Sequence, residues 1–375
     1  MYRYFRRFGL LTLVLSSCAA GFAQQQPNSA EADLKRIVDG IMQPYIAQNN
    51  LPGAIVGVSL HGHRYYFPYG QATDSGAAFA PDTLVEIGSC TKVLTTTLFA
   101  LAINRKQMDA NASAQQYMPR GYTLRPGAQA VTPLELADFT SGMPDDPPNL
   151  PRQLEMRSIE HYTTADFLAW ASHWKPATAL PAPYLYSNAG IGLLSYLIMT
   201  ATNTQWENQV TEEILGPLNM RETALRPSPE QMKRMAKGHM RNGNNAPPWP
   251  IYAWYAAGGL RSSAEDMLSF GEANLGHTEV NGKPVSPELI AAMQLAQKPI
   301  YTMPNGFNKQ ALAWVNNMGD GNPNLRPVIV KDGGTVGFST AITVNHGKDL
   351  AVFVAINRGG AMAAGKAVEI SRHLP

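Results

Sequence analysis

Residues 54–70 read AIVGVSLHGHRYYFPYG, a pattern that predicts a β-hairpin. β-branched and aromatic residues stand on both sides of the turn HGH, whose glycine supplies the backbone freedom that a tight turn needs. Near the other end of the chain, RPVIV, GFSTAITV and LAVFVAI predict further strands, and the turn NHGKD joins the last two. Because hairpins connect these strands, we expect a mainly antiparallel sheet.

Helical patterns fill the chain between these two groups of strands. Thr132–Glu135 form a capping box with proline at the first helical position. Residues 30–48 predict a first helix whose apolar period is broken at Gly40 and Pro44. The remaining predicted helices cover residues 163–174, 191–202, 262–274, 286–297 and 363–373.

The order of these elements predicts an α+β fold. The sheet is built from N- and C-terminal segments and flanked by helices, and a helical subdomain is inserted between the two groups of strands. A chain of 375 residues is also long for a single core and indicates two intertwined units. We expect residues 24–88 and 224–375 to form the α/β subdomain and residues 89–223 the helical one.

The first residues resemble a secretory signal. Arginines at positions 3, 6 and 7 precede an apolar run that ends near Leu15, and small residues follow it. This pattern predicts cleavage after Ala23, so that residues 1–23 are removed and the protein is periplasmic. The sequence LSSC also resembles a lipoprotein box, in which Cys18 is lipidated, and this alternative stays open.

Charge and cysteine content exclude several classes of protein. Removing residues 1–23 leaves 27 basic against 28 acidic residues, so no basic surface is predicted for nucleic acid or an anionic membrane. Cys90 is then the only thiol, and no internal disulfide can form. We therefore expect stability to come from packing, and no nucleic-acid partner.

Residues 89–92 read Ser-Cys-Thr-Lys and bring a hydroxyl and an amine together. On a helix this spacing places both side chains on one face, so the amine of Lys92 can reach the hydroxyl of Ser89. The helix N-terminus adds a partial positive charge that stabilises an oxyanion. Serine is also an ordinary helix cap, and a second Ser-x-x-Lys, at residues 172–175, is followed at once by proline.

A second motif, Tyr186-Ser187-Asn188, is the only Tyr-x-Asn in the chain and precedes an apolar helix. A phenol beside Lys92 and another lysine has a lowered pKa and can shuttle protons. The amide of Asn188 can hold both Lys92 and a substrate carbonyl. The alternative is a loop tyrosine that packs on the core.

A third motif, Lys331-Asp332-Gly333, is the only Lys-x-Gly and ends a predicted strand. Gly333 and Gly334 are predicted to leave the strand edge bare, so that a substrate can pair along it. The alternative is a charged turn between two strands. The three motifs together predict one site, with Ser89, Lys92, Tyr186 and Lys331 as catalytic residues and Asn188, Asp332, Gly333 and Gly334 as substrate-binding residues.

These motifs resemble those of the serine β-lactamase and penicillin-binding protein superfamily, most closely the class C β-lactamases. Several longer segments are also similar to family segments and follow the family order. They are NNLPGAIVGV, YYFPYGQA, LELADFTSGMP, HWKPATALPAPYLYSNAGIGLL, ILGPLNMRETAL and AAGGLRSSAEDM. The resemblance covers nearly all of the chain after residue 23 and implies the β-lactamase/transpeptidase-like fold.

The resemblance also implies roles. Ser89 would be the acylated nucleophile, Lys92 its activating partner, and Tyr186 the general base and acid. Asn188 would orient the substrate, and Lys331 would complete the electrostatic network and attract the substrate carboxylate.

The oxyanion hole implied by the resemblance consists of the backbone N–H groups of Ser89 and Gly334. The implied reaction is acylation of Ser89 by a β-lactam, followed by attack of water on the ester. It needs no metal or organic cofactor. The implied partner is a small molecule, either a β-lactam or a D-Ala-D-Ala peptide, and we expect a monomer.

The chain departs from the family pattern at two places. Asp332 stands where the family has threonine, so a hydroxyl donor is replaced by an acceptor that repels a carboxylate. The family's carboxylate-recognising asparagine near the last strand has no clear counterpart, although Asn357 and Arg358 lie in that region. These changes make efficient β-lactam turnover less secure.

Other functions stay open at this point. The same residues suit a DD-carboxypeptidase or endopeptidase acting on peptidoglycan stem peptides, or an esterase. A non-enzyme alternative is a protein that binds peptidoglycan or traps β-lactams without turnover. His61 and His63 suggest a metal hydrolase only weakly, because they fall in a hairpin turn with no carboxylate nearby in sequence. No Gly-x-Ser-x-Gly motif supports an α/β-hydrolase.

Overall fold

The computed structural model describes residues 29–150, 159, 161–319, 321–322 and 324–375. The predicted leader, residues 1–23 with Cys18, lies outside the described residues. The helices are α1 (Ser29–Asn49), α2 (Thr91–Asn104), α3 (Pro133–Ala137), α4 (Thr164–His173), α5 (Asn188–Thr202), α6 (Trp206–Val210), α7 (Pro229–Met232), α8 (Ala264–Leu275), α9 (Pro287–Gln297) and α10 (Ala363–His373).

The described strands form one large sheet and two short pairs. The strands are β1 (Gly53–Leu60), β2 (His63–Gly70), β3 (Val85–Glu86), β4 (Arg261–Ser262), β5 (Glu279–Val280), β6 (Lys283–Pro284), β7 (Tyr301–Thr302), β8 (Lys309–Gln310), β9 (Val315–Asn317), β10 (Val328–Gly334), β11 (Ser339–Asn345) and β12 (Leu350–Ile356). The large sheet has the order β2-β1-β12-β11-β10-β9-β8-β7, and each of its described pairings is antiparallel.

Helices cover both faces of the sheet. The N-terminal strand β1 pairs with the C-terminal strand β12, so Val56 lies opposite Val354. All three central strands, β1, β11 and β12, are almost completely buried, as expected for strands packed on both faces. Helices α1 and α10 pack on one face, and α8 packs on the other.

Helices α2 to α6 lie between β3 and β4 in the chain. Helix α2 is their centre, because it contacts α5, α6 and α9, and its residues from Thr91 to Ala102 are buried. The α+β class, the antiparallel sheet built from both ends of the chain and the inserted helices are therefore confirmed. The division into subdomains at residues 89 and 223 stays a prediction.

Two details differ from expectation. Helix α1 continues through Gly40 and Pro44, where we expected breaks. Both residues are exposed, so the Gly40 carbonyl that the proline leaves without a helix partner faces water. The paired short strands, β3–β4, β5–β6 and β7 to β9, were not predicted, since two or three residues are too few to show a period.

Within the described part of the chain, no helix combines the length and the apolar character that crossing a membrane requires.

Candidate active site

Ser89 lies in a 3-10 turn, Gly88–Cys90, immediately before α2. Gly88 has a φ of 49°, a conformation that other residues rarely adopt. A Cβ atom at Gly88 would lie 2.5 Å from the carbonyl oxygen of Gly334. Glycine at position 88 therefore allows the Ser89 turn to pack directly against the end of β10.

Hydrogen bonds hold this turn on the sheet. The Thr340 hydroxyl donates to the carbonyl of Ile87 over 2.9 Å. The Cys90 thiol, which is fully buried, donates to the carbonyl of Lys331 over 3.5 Å. The turn that carries Ser89 is thus tied to two neighbouring strands of the sheet, β10 and β11.

The two glycines at the end of β10 have different functions. A Cβ at Gly333 would lie 2.0 Å from the Ile87 carbonyl oxygen, so the missing side chain serves the packing of the Ser89 turn. This corrects the expectation that Gly333 leaves the strand edge bare for a substrate. Gly334 is exposed and has no atom within 4 Å of its Cβ position, so it alone offers that open space.

Gly333→Ala should destabilise the protein by about 2 kcal/mol or more, because backbone atoms of the Ser89 turn must move to admit the methyl group. Thermal unfolding followed by circular dichroism measures the effect. The neighbouring change Gly334→Ala is the matched control and should leave the melting temperature nearly unchanged. Equal melting temperatures for the two variants would contradict this packing.

Lys92 is completely buried, and its ammonium has three hydrogen-bond acceptors. It donates to the Ser89 hydroxyl over 2.8 Å, to the Asn188 amide oxygen over 2.5 Å and to the Ala257 carbonyl over 2.7 Å. Burial lowers the pKa of Lys92, and the Lys331 ammonium lowers it further, although Tyr186 opposes both. Lys92 is therefore placed to exchange a proton with Ser89.

Asn188 is the first residue of α5, and the residue before it fixes the start of that helix. The Ser187 hydroxyl accepts from the Gly190 backbone N–H over 2.7 Å and donates to the Pro144 carbonyl over 2.6 Å. Such capping fixes where the chain enters the helix. It also sets the positions of Asn188 and, one residue before the cap, of Tyr186.

Tyr186 lies between two ammonium groups. The Nζ atom of Lys92 is 4.9 Å from the centre of the Tyr186 ring, and that of Lys331 is 5.2 Å from it. Burial alone raises the pKa of Tyr186, but the charges of Lys331 and Lys92 outweigh it, so the pKa is lowered. A phenol with a lowered pKa ionises at a lower pH than an ordinary tyrosine, so it is better placed to accept and return a proton.

Lys331 and Asp332 form an ion pair beside Tyr186. The Lys331 Nζ atom lies 2.7 Å from Asp332 Oδ1, and the lysine side chain is 3% exposed against 69% for the aspartate. Burial alone lowers the pKa of Lys331, but the neighbouring Asp332 carboxylate reverses this and raises it. Lys331 therefore stays cationic, whereas the lowered pKa of Lys92 favours loss of its proton.

These side chains meet in one cleft with a volume of about 290 Å³. The described residues that line the cleft are Ser89, Phe139, Tyr184, Tyr186, Gln310, Ala313, Val315, Lys331 and Asp332. Lys92 and Asn188 lie directly behind Ser89, because Lys92 donates hydrogen bonds to both the Ser89 hydroxyl and the Asn188 amide oxygen. The structure thus brings together the residues that three distant motifs singled out, with Gly334 at the edge of the same strand.

Sequence reasoning missed Phe139, whose ring centre lies 4.8 Å from that of Tyr186. Phe139 has a φ of 68°, which is rare for a bulky residue, and it is buried. Its carbonyl also accepts from the Leu185 backbone N–H over 2.9 Å. No sequence pattern signals such a conformation. Sequence reasoning also missed the Ala257 carbonyl, which accepts a hydrogen bond from Lys92 across 165 positions of the chain.

The histidines of the first hairpin do not form a metal site with described residues. The His61 Nδ1 atom lies 3.5 Å from an oxygen of Asp349, and that carboxylate also bonds His277. Among the described residues, no group of three or more histidine, cysteine, aspartate or glutamate side chains could hold a metal ion.

The chain is similar to known proteins both in sequence and in fold. A family model described as Beta-lactamase matches residues 37–373. A β-lactamase of Pseudomonas fluorescens is 27% identical over 87% of this chain and 94% of its own. A solved class C β-lactamase has a TM-score of 0.81 at 23% identity, covering 93% of this chain and 99% of its own. A D-alanine carboxypeptidase from Burkholderia cenocepacia has a TM-score of 0.76 at 24% identity, covering 91% and 99%.

Proposed function

Because the chain belongs to the β-lactamase family, as a hydrolase of the serine β-lactamase type, we propose that it opens β-lactam rings through an acyl-enzyme on Ser89. The observation that carries the proposal is the hydrogen bond from the buried Lys92 ammonium to the Ser89 hydroxyl, next to a tyrosine of lowered pKa.

In the first step, the Ser89 oxygen attacks the lactam carbonyl carbon and the carbon–nitrogen bond breaks. The serine proton passes to Tyr186, directly or through Lys92, and is then delivered to the leaving nitrogen. The backbone N–H groups of Ser89 and Gly334 stabilise the negative oxygen of the intermediate. The close contact between the Ser89 turn and β10 supports this pairing of donors.

In the second step, water attacks the ester carbonyl and Tyr186 accepts the water proton. That proton returns to the Ser89 oxygen when the ester breaks, so the enzyme is regenerated and the ring-opened acid leaves. Asn188 accepts a hydrogen bond from Lys92, and its amide group orients the substrate. Lys331 keeps Tyr186 ionisable throughout the cycle.

The pH dependence of kcat/KM tests the role given to Lys331. Lys331→Met removes a positive charge that favours the phenolate of Tyr186, so the pKa of Tyr186 rises. The acidic limb of the kcat/KM profile should therefore move to higher pH. Lys366 provides a matched control, because its ammonium lies 5.0 Å from the ring centre of Tyr45, away from the cleft. Lys366→Met should leave the pH profile of kcat/KM unchanged. An acidic limb at the wild-type pH in Lys331→Met would refute the role given to Lys331.

A second candidate function keeps the same residues and changes the substrate. Removal of the terminal residue of a D-Ala-D-Ala peptide uses the same acylation of serine, and a D-alanine carboxypeptidase shares this fold. Initial rates with a chromogenic cephalosporin, a D-Ala-D-Ala peptide and a p-nitrophenyl ester separate the candidates. The proposal predicts that the cephalosporin is hydrolysed faster than the peptide, and the reverse order would favour the carboxypeptidase.

We also propose that the protein is exported to the periplasm, on the basis of the leader pattern in residues 1–23. The mature protein is then expected to begin at Gln24. N-terminal sequencing of protein recovered from the periplasm tests this, because a lipidated N-terminus at Cys18 gives a different result.

A further inference from the structure

The Lys331–Asp332 pair changes which charge the cleft presents to a ligand. The Lys331 ammonium is buried and bonded to Asp332, whereas the aspartate side chain is 69% exposed and lines the cleft. The Lys331 ammonium holds the pKa of Asp332 below its usual range, so the carboxylate is ionised at neutral pH. An incoming ligand therefore meets a carboxylate first, and the cation behind it is already neutralised.

Asn357 and Arg358, the polar residues that directly follow the last strand, do not offer a free cation or amide to a substrate carboxylate in the cleft. Asn357 is completely buried, and its amide donates to the carbonyls of Gln71 and Lys237 over 3.0 Å each. The Arg358 guanidinium donates to the carbonyls of Asn49, Asn50 and Arg241. Both side chains bind backbone elsewhere, and Lys92 is committed to its own three acceptors.

The cavity next to the cleft is lined in part by acidic residues and, like Asp332, favours negative charge over positive charge on the protein side. It has a volume of about 710 Å³ and shares Tyr184 with the Ser89 cleft. The described residues that line it include Glu135 and the buried Asp138 but no lysine, arginine or histidine. Prolines and aromatic rings make up much of the remaining wall, including Tyr301. The extension of the cleft therefore suits an apolar or uncharged group rather than an anion.

We propose that this site selects acyl donors with no carboxylate beside the bond that breaks, and that Asp332 is the residue responsible. The proposal rests on the proposed function, because it concerns the substrates that acylate Ser89. Two like charges a few ångströms apart at a partly exposed site disfavour binding by between about fivefold and several hundredfold. Esters that carry no charge, and lactams whose acid group is esterified, are then better substrates than the same compounds with a free carboxylate.

A matched pair of substrates tests this selection. One cephalosporin is used as the free acid and as its methyl ester, so the reacting ring stays the same. Values of kcat/KM come from the loss of lactam absorbance. The wild-type protein should favour the methyl ester by about tenfold or more. In Asp332→Thr and Asp332→Asn this preference should fall or reverse, because the Lys331 ammonium is no longer neutralised.

Asp33 on helix α1 supplies a control for net charge. Its side chain is 71% exposed, close to the exposure of Asp332. Asp33→Asn should keep the wild-type ratio of ester to acid. A wild-type protein that prefers the free acid, or an Asp332→Thr variant with an unchanged ratio, would overturn the charge selection by Asp332 but not the proposed function. If neither compound leaves an acyl group on Ser89 by mass spectrometry, both this inference and the proposed function are overturned.

Discussion

Ser89→Ala is expected to reduce turnover of a β-lactam by roughly 10⁴-fold or more, because the hydroxyl group that forms the ester is removed. The Ser89 side chain accepts from Lys92 and supports no other described bond, so the fold should survive its loss. Initial rates with a chromogenic cephalosporin measure the effect, and circular dichroism verifies folding.

The chain contains its own control for Ser89. Ser172 opens the second Ser-x-x-Lys sequence, but it lies at the end of α4, where its hydroxyl donates to the Leu168 carbonyl over 2.8 Å. Ser172→Ala should keep wild-type turnover. Activity that survives in Ser89→Ala, or is lost in Ser172→Ala, would mean that the nucleophile has been misassigned.

Tyr186→Phe is expected to slow turnover by roughly 10² to 10⁴-fold, since the ring remains but the group that exchanges protons is lost. The aromatic contact with Phe139 persists in this variant, so the change isolates the hydroxyl. The reduction should appear mainly in kcat, and the acidic limb expected for the wild-type protein should be absent from the pH profile of the variant.

A tyrosine outside the cleft controls for the loss of a partly buried hydroxyl group. The Tyr69 hydroxyl donates to Asp39 over 2.8 Å at the edge of the sheet. Tyr69→Phe should lower stability slightly and leave kcat unchanged. Should Tyr186→Phe behave in the same way as Tyr69→Phe, the proton transfer must be assigned to another group.

The sequence predicted the main elements because their signals are local. The capping box from Thr132 to Glu135 forms as expected, with the Thr132 hydroxyl and the Glu135 carboxylate each bonding the other's backbone N–H. The hairpin at residues 54–70 forms with Leu60 opposite His63. Alternation along a strand and capping at a helix start each depend on a few neighbouring residues, so both can be read directly.

The rest depends on contacts between distant residues and could not be predicted in this way. The packing of Gly333 against Ile87 joins segments almost 250 positions apart, and the left-handed backbone of Phe139 has no sequence signature. The pairing of Lys331 with Asp332 was also hidden, because neighbours on a strand normally point to opposite faces. The sequence indicated that Asp332 repels a carboxylate, but not that it also neutralises Lys331.

The central claim is that Ser89 carries the acyl group during turnover. The most direct test is to quench the protein with acid during hydrolysis of a cephalosporin, digest it and determine the peptide masses. The account predicts that the peptide containing Ser89 gains the mass of the ring-opened acyl group, and that Ser89→Ala shows no such gain. Turnover without any adduct on that peptide, or an adduct on a different residue, would contradict it.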